Sequence, residues 1–320
     1  MTGGPTWSRV VPPVCVAGLI GVLLAEFLTG SGEFPVAAYA RFIADAAGAT
    51  VLGLAAPPRL NPRIEVRWRL IAVLAGVWFV AEFAQLVADA AEIVGVRAWK
   101  LGVRDFATFM TKLSGGQIGI AIAFCTAAIA GYATLAFRRE TVQVGRNSRL
   151  GDRPTLSPDL VLVFGAVALV LRPVTGHMSQ QHFGSVLAAI HTLAAAAWLG
   201  LLLAMALTLR GKGAWAATLP KFSDAALPLL GTVALTGVID AAVRLQGFAP
   251  LWETGYGRIL IAKVIVLVAL LALGWHWRRT WVPKATTHRT PAPVSLRNAV
   301  LDAVVIAIAF GLAATLALTA

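Results

Sequence analysis

Charge is scarce in this chain: only 13% of its 320 residues are Asp, Glu, Lys or Arg, while 58% are hydrophobic. With a mean hydropathy of +0.78, that shortage excludes a water-soluble domain of this length. Cysteine is nearly absent. Cys15 and Cys125 both sit in apolar runs, which excludes a disulfide framework and leaves packing, or a relay for a soft metal, as their roles. No polar stretch is long enough to fold alone. There is no phosphate-binding loop, no glycine-rich nucleotide motif and no nucleophile–base–acid arrangement, so the residues do not describe an enzyme.

What remains is apolar sequence cut into lengths that suit a bilayer. A span needs about 20 apolar residues, and helices satisfy their own backbone inside lipid. Segments near 11–30, 36–56, 70–91, 116–136, 158–176, 184–209, 224–244, 256–277 and 298–319 qualify. The expected fold is all-α, a polytopic membrane helix bundle of about nine transmembrane helices. The first apolar run, Val10 to Leu28, is longer than a signal-peptide core, so this span is expected to stay in the chain, despite small residues at Ala38 and Ala40.

The formal net charge of +12 does not point to nucleic acid, because the basic residues alternate from loop to loop. Arg59, Arg63, Arg67 and Arg69 follow the second span, and Arg138, Arg139, Arg146, Arg149 and Arg153 follow the fourth. Arg210, Lys212 and Lys221 follow the sixth, and Arg278, Arg279, Lys284, Arg289 and Arg297 follow the eighth. The positive-inside rule then places these loops and the N-terminus in the cytoplasm and the C-terminus outside. Residues 1–157 read as a four-helix half and 158–320 as a five-helix half. Within the first, Trp99, Val103, Phe106, Met110 and Leu113 alternate with basic residues, which predicts an amphipathic helix over 96–113 on the outer membrane surface.

The fifth span is short. Its apolar run, Leu160 to Leu171, covers about 18 Å before Arg172, against a hydrocarbon core of about 30 Å. Arg172 is expected to snorkel outward, the alternative being a recessed polar vestibule. Ionisable residues also lie within spans: Glu26, Arg41, Asp45, Glu82, Asp240, Lys263 and Asp302. Facing lipid, each costs about 2.5–3.5 kcal/mol or more at the bilayer centre, so they should face the bundle. All but Asp302 fall in the outer half, which predicts a polar lining open to the outside. Structural ion pairs, Arg41 with Asp45 or Glu82 and Lys263 with Asp240 or Glu26, are the alternative.

Three of the five histidines, His177, His182 and His191, crowd one apolar helix and the loop before it. His191 and Trp198 share a helix face among small residues, so His191 points into the bundle. Imidazole and thioether are ligands for copper, which makes His177, Met178, His182 and His191 a candidate metal set. No tight ligand spacing accompanies them. His276, between Trp275 and Trp277, reads as an interfacial anchor, and His288 as solvated.

The same region carries a pattern of short motifs. Gly176-His177 comes first, then the run from His191 through Trp198 to Gly200, and Lys221-Phe-Ser223. Leu235-Thr-Gly237 with Asp240 and Arg244, Thr254 to Lys263 including Tyr256, and Leu296-Arg297 to Asp302 follow. In order and spacing these resemble the copper resistance D (CopD) domain from about 173 to 319. A weaker resemblance joins 1–157 to the N-terminal half of long actinobacterial-type members. The resemblance implies a multi-pass protein of the bacterial cytoplasmic membrane that takes up or handles copper, partnered by a small periplasmic copper-binding protein. It implies His177 and His191 as metal residues, and Trp198, Tyr256 and Lys263 as motif residues of unknown role; Asp302 stands where the family more often has Glu. Two other readings stay open: a haem-binding membrane cytochrome, with histidines as iron ligands, and a non-transporting copper donor or scaffold for assembly of a respiratory oxidase.

Overall fold

The computed structural model describes residues 6–30, 36–56, 64–145, 156–175, 183–245 and 247–318. Every regular element among them is helical. In chain order these are α1 (Trp7–Thr29), α2 (Val36–Ala55), α3 (Trp68–Val94), α4 (Val103–Lys112), α5 (Ser114–Gly145), α6 (Asp159–Thr175), α7 (Gly184–Thr208), α8 (Gly211–Leu245), the single turn α9 (Pro250–Glu253), α10 (Gly255–Thr286) and α11 (Ala292–Leu316). Several threonine hydroxyls inside the apolar helices donate back to carbonyls one turn earlier, as Thr50 does to Ala46 and Thr126 to Ile122, while those of Thr218 and Thr315 are buried without a partner.

Among the described residues, seven helices are long and apolar enough to cross a membrane: α1, α3, α5, α7, α8, α10 and α11. The expected second and fifth spans form helices too, but α6 has only 17 residues, and α2 carries Arg41 and Asp45 within its 20. α2 is nevertheless an interior helix. Ala38, Phe42, Ala44, Ala49, Val51, Leu54 and Ala55 are all almost fully buried, as expected of a helix packed on several sides.

The helix containing the expected seventh span starts earlier than its apolar run. Residues 211–223, read from their basic residues as a loop, form the first turns of α8, with Trp215, Leu219 and Phe222 buried at helical spacing. α4 lies across the ends of α3 and α5, with Phe109 buried against Leu86 and Ala90. Trp99 and Val103 remain largely exposed, so the covered face centres on Phe109 rather than on those two.

Glycine sets the closest approaches. Side chains at Gly21 and Gly311, where α1 runs beside α11, would strike the opposing backbone, and so would side chains at Gly53 of α2 and Gly200 of α7. Gly255 packs on Thr29, and Arg258 Nε donates to the Leu28 carbonyl at 2.7 Å. The C-termini of α1 and α11 and the N-terminus of α10 therefore share one end of the bundle, called here the upper end. At the lower end Trp215, Trp277 and Trp281 cluster, and Trp281 Nε1 donates to Ser295 Oγ at 3.1 Å. A single apolar core runs through both halves, because α1 packs on α11 and α2 on α7.

Candidate functional site

His191 lies about 10 Å down α7 from its N-terminus at the helical rise of 1.5 Å per residue. Its Nδ1 is 2.8 Å from Thr236 Oγ1 on α8. That hydroxyl has one proton, and it is committed to the Thr232 carbonyl at 2.6 Å. With that proton on the carbonyl, the oxygen accepts from Nδ1–H, the tautomer that leaves the Nε2 lone pair for a ligand. A hydrogen bond of this kind on the far nitrogen orients a metal-binding imidazole.

A chain of charged and aromatic groups leads from His191 to the upper end. The Lys263 ammonium of α10 acts electrostatically on His191, and Asp240 of α8 acts on Lys263. Asp240 also acts on Tyr256. Above it, the Arg244 guanidinium stacks over the Tyr256 ring, 4.7 Å from its centroid. Asp240 and Thr236 are one turn apart on the same face of α8, so one helix face meets both His191 and Lys263.

A second polar network occupies the N-terminal helices. Arg172 of α6 turns inward: its Nη2 bonds Glu82 Oε2 at 2.8 Å and its Nη1 bonds Asp89 Oδ2 at 3.1 Å. This overturns the expected snorkelling, because two carboxylates of α3 outcompete the interface for the guanidinium. Trp78 Nε1 adds a 3.2 Å hydrogen bond to Glu82. Arg41 pairs with Asp45 within α2 at 3.4 Å, and the charges of Glu82 and Arg172 reach Asp45. Gln85, 1% exposed and between Glu82 and Asp89 on α3, has neither amide atom paired. Asp89 and Gln85 were legible only as the i+7 and i+3 neighbours of Glu82.

The remaining predicted residues lie apart from both groups or outside the described residues. Trp198 is buried in the core of α7, and Glu26 lies near the upper end of α1, close enough to act on Tyr39. Asp302 is buried on α11. His177, Met178 and His182 lie outside the described residues. Among the described residues no three His, Cys, Asp or Glu side chains group as a metal site, so His191 is the one member of the predicted ligand set whose surroundings are known. His276 sits far down α10, its ring 5.2 Å from that of Trp277.

The comparisons bear on this half of the bundle. The Copper transport protein CutJ of Bacillus subtilis (strain 168) is 26% identical over 139 residues, covering 40% of this chain and 25% of that protein. The chain thus matches about a quarter of that relative's length. No solved structure matches. A family match covers Thr236, Asp240, Tyr256, Lys263 and Asp302 but begins after His177 and His191. Over residues 216–316, from α8 to α11, the chain matches the model of the family Copper resistance protein D.

Proposed function

We propose that this protein carries copper across the bacterial cytoplasmic membrane, taking the ion from the extracytoplasmic side. The observation that supports it is His191: an imidazole within the bundle, held through Nδ1 by Thr236 of the family-matched segment, with Nε2 left for the ion. In this reading the upper end faces outward. His177, Met178 and His182, in the segment just before α7, form the outer capture site. Glu26, Asp45, Glu82 and Asp240 line the approach, and a small periplasmic copper-binding protein delivers the ion. Imidazole and thioether together suit Cu(I).

The same proposal takes α2 and α6 as spans, giving nine in all, with the N-terminus in the cytoplasm, the C-terminus outside and a four-helix half joined to a five-helix half. α1 ends and α10 begins at the same end of the bundle, which requires that α2 and α6 both cross or that neither does; the burial of α2 on several sides among the spanning helices supports both crossing.

The test is metal content and uptake. Purified protein loaded with Cu(I), then copper entry into vesicles containing it, should both fall sharply for H177A and H191A. Wild-type binding without uptake favours the donor or scaffold reading. An absorption spectrum with a Soret band lost in H191A assigns that residue to haem and sinks the copper role.

A further inference from the structure

Asp302 lies near the middle of the bundle, about 15 Å from the start of α11 and about 21 Å from its end. It is 7% exposed. The helices packed against α11 are α1, α2, α7, α8 and α10. Their ionisable groups nearest in level are Cys15 of α1, Asp45 of α2, His191 of α7, Asp224 and Asp240 of α8, and Lys263 and His276 of α10. Among the described residues none of these bonds to Asp302 or offsets its charge. One turn below, Asn298 is 5% exposed and its Oδ1 has no donor. Residues i and i+4 share a helix face, so a buried carboxyl and an amide whose Oδ1 accepts no hydrogen bond stand on one face.

This differs from four other carboxylates within the bundle. Glu82 and Asp89 have Arg172, Asp45 has Arg41, and Asp240 has Lys263 in its field. An ionised carboxyl without a counter-charge is strongly disfavoured in an apolar bundle. A proton removes the charge and also supplies a donor for a neighbouring acceptor. We propose that Asp302 is a proton-binding site, with Asn298 Oδ1 the acceptor for its acid form, and that this proton exchanges with copper as the ion passes.

The exchange balances without any redox change. As a Cu(I) ion enters this level, the O–H bond of the Asp302 acid breaks and the proton leaves to water on the side from which the copper came, and the proton that later replaces it comes from the side to which the copper departs. The carboxylate offsets the single positive charge of the ion. When the ion departs, a proton from water re-forms the O–H bond. Oxygen is a poor ligand for Cu(I), so Asp302 serves as a counter-charge and the ion moves on.

The inference rests on the copper reading, and its test separates the two. Infrared spectra of the full chain in liposomes should show a protonated-carboxyl C=O band near neutral pH that is absent in D302N and displaced in D302E. Copper(I) uptake should respond to a pH gradient: one proton per ion supports about tenfold accumulation per pH unit. D302N should lose that accumulation; D302E should keep it. A band unchanged in D302N, a wild-type gradient response in D302N, or a response to sodium in place of protons overturns the proposal. If D302N does not fold, an undisplaced band in D302E does so. Wild-type vesicles that move no copper sink the transport reading alone, because the infrared band still decides whether Asp302 holds a proton.

Discussion

His191 Nδ1 and Thr236 Oγ1, 45 residues apart in sequence, meet at 2.8 Å and tie α7 to α8. The Thr236 hydroxyl also lies 2.6 Å from the Thr232 carbonyl, so the contact fixes the orientation of the ring and favours the tautomer with its proton on Nδ1. T236V, which keeps the shape and removes the acceptor, should weaken Cu(I) binding about 10- to 100-fold, the range seen when such a partner of a metal-binding histidine is lost. T236S should stay near wild type. Competition with a chromophoric Cu(I) chelator measures both, and equal binding by T236V and T236S would remove Thr236 from the site.

The Arg172 pairs hold α6 to α3. R172M leaves Glu82 and Asp89 without their cation and should destabilise the protein by about 3–5 kcal/mol, the usual cost of removing one partner of a buried pair. Adding E82Q and D89N to R172M should recover most of that loss. Thermal unfolding in detergent reads the difference, and an unchanged melting point in R172M would show that the pairs carry no stability.

Glycines at the helix crossings should be intolerant and others permissive. G200A places a Cβ against the Ala49 carbonyl of α2 and should cost about 1–3 kcal/mol or more by overpacking. Gly76 and Gly131 meet nothing near an added Cβ, so G76A and G131A should melt within about 1 kcal/mol of wild type or slightly above it, since Ala favours helix.

The proposed orientation, and the crossing by α10, have a direct readout. In a background of C15S and C125A, a cysteine at the exposed Phe248 should react with an impermeant thiol reagent added outside intact cells. One at the exposed Arg289 should react only after the membrane is opened. The reverse pattern inverts the proposed orientation, and outside labelling at both sites breaks the nine-span count.

Some of this organisation is visible in particular residues before folding. The run Ala292 to Leu316 reads as a helix from its apolar residues alone, and the alternating arginines read as one face of a membrane. Residues 211–223 do not read so easily, because Lys212 and Lys221 mask the buried Trp215, Leu219 and Phe222 between them. For the site, His191 is legible as a rare polar side chain on an apolar helix, but its partner is not. Thr236 looks like any other helical threonine until α8 is placed beside α7. Arg172 misleads for the same reason. Near a helix end, snorkelling is the expected outcome unless a neighbour offers carboxylates, and Glu82 and Asp89 are 90 and 83 residues away.

Helical class and residence in a membrane follow from composition, since backbone hydrogen bonds in an α-helix close within four residues and need nothing from distant sequence. Which ionisable groups pair is another matter. Charge compensation acts between helices, over a few ångströms, and only the packing of α2, α3 and α6, and of α7, α8 and α10, decides that Arg172 is neutralised, that His191 is oriented and that Asp302 has no counter-charge.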